Sequence, residues 1–114
     1  GCMIVLSWPP RELHPNARKH FHAKARAAKA DRVSATYAAM AEGPQIDVSG
    51  PLSLSIDFYP PDKRRRDLDG CLSAVKAGLD GIADAYQIND FNINPITIRR
   101  CEPVKGGRVE VRIA

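Results

Sequence analysis

Eight consecutive residues constrain the fold most. Leu52, Leu54, Ile56 and Phe58 are apolar, while Ser53, Ser55, Asp57 and Tyr59 alternate with them. Side chains that change face every second residue can bury one side only as a strand. Pro60-Pro61 stops that strand, since proline cannot donate to a ladder. Soon afterwards the period changes. Leu68, Leu72, Val75, Leu79 and Ile82 recur at helical spacing, which predicts a helix that begins near Asp67 to Asp69 and ends near Ala85. The polar run Asp62-Lys63-Arg64-Arg65-Arg66 lies between the two elements. A strand and a helix joined by a cationic loop direct the chain toward an α/β fold.

The remaining elements fit the same class. Met3 to Ser7 reads as a strand through Ile4, Val5 and Leu6, and Pro9-Pro10 ends it. Ala17 to about Ala41 reads as a long helix, rich in Ala, Lys and Arg, capped by Asn16 and stopped by Gly43-Pro44. On it Ala17, Phe21, Ala28, Ala35 and Ala39 share one face, which predicts close approach to a sheet. Arg18, His22, Arg26, Lys29 and Arg32 share the adjacent, solvated face. Ile96 and Ile98 mark one later strand, and Val109, Val111 and Ile113 another. With Lys105-Gly106-Gly107-Arg108 as the turn, these two predict a hairpin. The expected order is β-α-β-α-β-β. The 114 residues are expected to form one domain, a single mixed sheet packed by two helices.

Charge carries more information than composition. Residues 1–66 hold 11 Lys/Arg against 6 Asp/Glu, and residues 67–114 hold 6 against 7. A basic half joined to a slightly acidic half suggests a polyanion partner beside a local group of carboxylates. Cys2, Cys71 and Cys101 stand far apart without a CxxC pair. That argues against a disulfide framework or a zinc site and for a reducing cytoplasm. No apolar run approaches the ~20 residues of a membrane span, and Met3 to Leu6 is too short for a signal peptide's apolar region.

The segment Lys63-Arg64-Arg65-Arg66-Asp67-Leu68-Asp69 carries the chemistry. In the turn entering a helix, Asp67 and Asp69 can approach one ion. Mg²⁺ takes one or two carboxylates together with water and phosphate oxygens. The adjacent cations suit a phosphate backbone held against that ion, which can polarise the phosphoryl group and acidify a water. The plain alternative is a pair of helix-capping carboxylates beside surface ion pairs. Asp90, in the short link after the second helix, is the candidate third carboxylate; its alternative is a turn-forming Asn89-Asp90 pair.

With these residues the chain resembles the RusA family of Holliday-junction resolvases over nearly its whole length. The resemblance runs through Leu6-Ser7-Trp8-Pro9-Pro10, a basic helix, a strand ending in proline, and the arginine run with Asp67-Leu68-Asp69. It closes with Asn89-Asp90 before a strand and Lys105-Gly106-Gly107-Arg108 before the last. It implies Mg²⁺ (or Mn²⁺) held by Asp67, Asp69 and Asp90. It also implies branched DNA as substrate, phosphodiester hydrolysis, a homodimer spanning a four-way junction, and a phage or prophage origin. Lys63, Arg64, Arg65, Arg66, Arg18, His22, Arg26 and Lys29 are the expected DNA contacts. The family usually has Asp-Asp where this chain has Asn89-Asp90. It often has Asn where this chain has Gly70, and Lys where this chain has Ser73. Lys76, about two turns after Asp69, is the candidate replacement, its flexible stem reaching back toward the phosphate.

Competing readings are a noncatalytic basic DNA-binding module of the same fold and a dimeric interaction protein. His14, His20 and His22 lie on a basic segment and do not read as a zinc site. Asp80 reads as solvated, and Trp8 and Phe21 as core residues. Arg99 and Arg100 read as either a phosphate contact or strand surface.

Overall fold

A computed structural model describes residues 2–15, 21–44 and 46–114. Its elements are β1 (Cys2–Ser7), α1 (Phe21–Glu42), β2 (Leu52–Tyr59), α2 (Leu68–Tyr86), β3 (Ile93–Arg100) and β4 (Arg108–Ile113). Single 3₁₀ turns occupy Arg11–Leu13 and Asp90–Asn92. The strands form one four-stranded mixed sheet in the order β1-β4-β2-β3. β4 runs antiparallel to β1 and to β2, and β3 runs parallel to β2.

The apolar set of each strand lies on one face. Ile4, Ile56, Phe58, Val109 and Val111 are fully buried there, together with Val75 of α2. The opposite face stays polar and carries Asp57, Arg99, Glu110 and Arg112 in adjacent register. Both helices therefore serve one core, in two layers.

α1 rests mainly on α2. At Gly81 a Cβ would lie 2.3 Å from the Arg32 carbonyl oxygen, so only glycine permits this approach. The Thr36 hydroxyl donates to the Gly81 carbonyl at 3.1 Å, and the Tyr86 hydroxyl donates to the Ala39 carbonyl at 2.6 Å. Arg32 grips Asp84 with two hydrogen bonds, of 2.6 and 2.8 Å.

Several expectations change. The predicted hairpin does not form, because β3 and β4 lie on opposite flanks of β2. After β3 the chain follows the end of β2, where Cys101 N–H donates to the Phe58 carbonyl and Val104 N–H to that of Pro60. Gly106 and Gly107, both at positive φ, then turn it to the other side. The reason is burial: Val109, Val111 and Ile113 are at most 2% exposed and need strands on both flanks, whereas β3 suits an edge. Phe21 is 75% exposed rather than in the core. A helix of 22 residues is about 33 Å long and overhangs strands of roughly 20–27 Å. Its small-residue face meets α2 more than the sheet. The expected start of that helix, with Asn16, Ala17 and Arg18, lies outside the described residues. Among the described residues no helix is long and apolar enough to cross a membrane.

Candidate active site

β2 ends at the Pro60-Pro61 stop, and the loop after it delivers the chain into α2. Asp67 is the N-cap residue of α2, with extended backbone, yet its carboxylate makes no capping hydrogen bond. Among the described residues neither Asp67 nor Asp69 has a hydrogen-bonded or ion-paired side-chain partner. The capping explanation of this pair therefore fails for Asp67. Both residues line an open cleft of about 990 Å³ with Arg11, His14, Arg64 and Arg65. Oxygen donors without a partner among the described residues, facing water, are what a hard divalent cation requires.

The cations divide into two kinds. Lys63, Arg64 and Arg65 are exposed; the Arg64 side chain is 83% accessible and lies 3.8 Å from the Asp62 carboxylate. Arg66 is committed to structure. It donates to the Asp62 carboxylate at 2.8 Å and lies 5.5 Å from the Trp8 ring centroid. Its hydrogen bond holds the Asp62 carboxyl below the usual carboxylate range. Trp8 in turn meets Phe58 of the core edge-on at 6.3 Å. The loop bearing the carboxylates is thus fastened to the sheet, as Trp8's expected packing role requires.

Sequence reasoning missed His14 as a lining residue. Its ring stacks on Trp8 at 6.0 Å, and Nε2 lies 3.1 Å from the Pro9 carbonyl oxygen. The Trp-Pro-Pro segment is the only signal that could have pointed to it. Cys71, also on the cleft, has its thiol pushed up by burial. His22, Arg26 and Lys29 are exposed on α1, and none of the three lines this cleft. His22 packs edge-on against Phe21 at 5.4 Å.

Asp90 is elsewhere. β2 and β3 pair in parallel, with Leu52 opposite Ile93 and Phe58 opposite Arg100. Asp67 follows the Phe58 end, whereas Asp90 precedes the Ile93 end. One strand of eight residues separates them, roughly 20 Å or more. The chain alone does not bring Asp90 beside Asp67 and Asp69. No group of three or more metal-ligating side chains occurs among the described residues. Asp90 instead borders an apolar groove of about 200 Å³ with Leu79, Ile88, Ile93, Ile96, Asp80 and Lys76. Lys76 does not reach back toward Asp69; it pairs with Asp80 at 3.4 Å. Asp80 is therefore an ion-pair partner as well as solvated. Arg99 binds Asp57 across the sheet, and Arg100 donates to the Arg66 carbonyl.

The fold and cleft define a class: a two-layer α/β protein that presents paired carboxylates behind an arginine-rich loop. Relatives narrow this further. The chain is 31% identical over 117 residues to the crossover junction endodeoxyribonuclease rusA of Enterobacteria phage 82, covering 96% of this chain and 91% of that protein. It is 30% identical over 115 residues to RusA of Escherichia coli K12, with the same coverage. An uncharacterized protein of Xylella fastidiosa is 40% identical over 90 residues, spanning 76% of this chain and 59% of its own length. No family model matches the chain. On the full-length similarities the chain belongs to the RusA family of crossover junction endodeoxyribonucleases.

Proposed function

We propose that the protein is a metal-dependent, structure-selective endonuclease that resolves Holliday junctions or other branched DNA by phosphodiester hydrolysis. The observation that carries this is the pairing of two carboxylates that have no partner among the described residues, Asp67 and Asp69, with exposed Arg64 and Arg65 in one cleft. Relatives named for crossover-junction cleavage support the substrate class.

Asp67 and Asp69 fit Mg²⁺ or Mn²⁺ by their oxygen donors and exposure. Bound there, such an ion supplies charge against the phosphoryl oxygen and acidifies a water. The chain's own residues do the rest. Lys63, Arg64 and Arg65, with Arg26 and Lys29 of α1, hold the backbone of the DNA. Arg66 keeps the loop in place. Asp90 completes the oxygen set from a second copy. β3 is an edge strand with Ile96 half exposed, and beside it lies the apolar groove. A two-fold axis through the middle of β3 exchanges its ends. Each copy's Asp90 then meets the other's Asp67 and Asp69, and Lys76 travels with Asp90 on the same groove. Two such sites suit paired nicks in a four-way junction.

One observation favours a second reading, a noncatalytic junction-binding module: of the three carboxylates on the cleft, Asp62 is bound by Arg66, which leaves only Asp67 and Asp69 for an ion. Incubating a synthetic four-way junction with and without Mg²⁺ separates the two. Ion-dependent nicks of opposing strands are the expected result. A shifted complex that never yields product would leave the binding module.

A further inference from the structure

Phe91 is the most exposed large apolar side chain among the described residues, at 90%. An isolated exposed apolar residue is ordinary; its position makes this one informative. It directly follows Asp90, on a turn that is fixed rather than loose. The Phe91 N–H donates to Asn89 Oδ1 at 3.1 Å, and the Asn92 N–H donates to the Asn89 carbonyl at 2.9 Å. The Asn92 side chain donates to the Ser49 carbonyl at 3.4 Å. A pinned backbone with an outward ring presents that ring to something outside the chain.

The geometry points to Phe91 as a stacking residue for an unpaired nucleobase at the branch point, delivered with Asp90 to the cleft of the second copy. This rests on the two-copy site proposed above. In a 3₁₀ turn successive side chains diverge by about 120°, and consecutive Cα atoms are about 3.8 Å apart. With the Asp90 carboxylate turned toward the phosphate, the ring stands beside it, on the side of the sugar and base. The rim it approaches carries Arg64 and Arg65 beside Trp8, Pro9 and Pro61. Phosphates held by the arginines set the neighbouring base within reach of the ring. Taking a base out of the stack is costly, least so where it is already unpaired, and an aromatic ring accepts any base. The substrate feature read here is thus an unstacked base of any identity next to the cut phosphate.

The test uses the full chain and a four-way junction with 2-aminopurine at the branch nucleotides, bound without divalent ion so that no strand is cut. Wild type and Phe91→Trp are expected to change the 2-aminopurine emission. Phe91→Ala is expected to leave emission as in free DNA, and to bind the junction roughly tenfold or more weakly with duplex binding unchanged. Emission and affinity equal to wild type in Phe91→Ala would overturn the proposal. So would a Phe91→Ala protein that sediments as monomer where wild type is dimeric, since the ring would then be packing on protein. A wild-type protein that ignores junctions altogether would bring down the endonuclease reading as well, which distinguishes the two failures.

Discussion

The Arg100 guanidinium donates a hydrogen bond to the backbone carbonyl of Arg66. This bond ties the end of β3 to the residue immediately before Asp67. Together with Arg66 on Asp62 and Trp8, it fixes the carboxylate pair at the carboxyl ends of two parallel strands. Ligand sites in α/β sheets lie at that end of the strands. The arginine run therefore has two duties: its exposed members face the cleft, and Arg66 holds the loop in position.

Asp69→Asn removes one negative oxygen ligand while keeping the side chain's volume. Junction cleavage is expected to fall by more than about 100-fold, since even outer-shell changes at metal sites cost 10–100-fold. Junction affinity should hold or rise, because a negative charge near phosphate is lost. Gel shift and nicking assays on one preparation check both; weakened binding with normal cutting contradicts the assignment.

The separation of Asp90 from Asp67 gives a complementation test. Asp69→Asn and Asp90→Asn proteins should each be inactive alone. Mixed and allowed to exchange, they form a pair in which one cleft receives intact Asp67, Asp69 and Asp90. Single-strand nicking should reappear in the mixture at a fraction of wild-type rate. A mixture as inactive as its components would mean that each site is built within one chain.

The sequence made the local elements legible, because period-two and helical patterns are local properties. Leu52–Tyr59 forms β2 in full, and the Leu68–Ile82 stripe lies within α2. The paired carboxylates were also legible, since both belong to one turn. What failed depended on distance. Whether β4 pairs with β3 or inserts between β1 and β2 is decided by which strand needs burial on both flanks, and alternation does not encode that. The place of Asp90 follows from the parallel pairing of β2 and β3, a long-range choice. The ties of Arg66 to Asp62 and Trp8 are likewise set by the fold and not by its place in the arginine run.

Arg64 and Arg65 should behave differently from Arg66. Replacing either exposed arginine by Ala should weaken DNA binding across sequences and lower the slope of log affinity against log salt by about 1. Thermal stability should be nearly unchanged. Arg66→Ala should lower the melting temperature instead, since it removes the 2.8 Å hydrogen bond to Asp62 and the cation over the Trp8 ring. Salt titrations of binding and thermal melts on the three variants check this.

Asp57 is 3% exposed on the polar face of the sheet. Its carboxyl is held below its ordinary value of 3.8, first by the Arg99 hydrogen bond and also by Arg112, against the upward push of burial. The sign follows from linkage. A lowered folded-state value gives stability that is fully present above pH 3.8. That stability is lost as pH falls from there through the lowered value. Urea unfolding at neutral pH and near pH 3 should show a decline, part of which disappears in Asp57→Asn. An identical decline in the variant would remove Asp57 as a source.

Gly81→Ala tests the contact between the helices. Alanine usually strengthens a helix relative to glycine by about 1 kcal/mol. Here the added Cβ would lie 2.3 Å from the Arg32 carbonyl oxygen and 2.9 Å from the Ala35 Cβ. Neither backbone nor a short side chain can swing aside, so α1 must lift from α2. That movement strains the Arg32–Asp84 pair and the Tyr86–Ala39 hydrogen bond together. The net effect should be destabilising by about 1–3 kcal/mol or more, the usual cost of overpacking, despite the propensity gain. Gly106 faces open space, but its φ of +78° makes Gly106→Ala a backbone test instead. Its loss should be smaller, on the order of 1–2 kcal/mol. Urea midpoints for both variants, compared with wild type, give the ranking; a neutral Gly81→Ala would mean that the helices are farther apart than described.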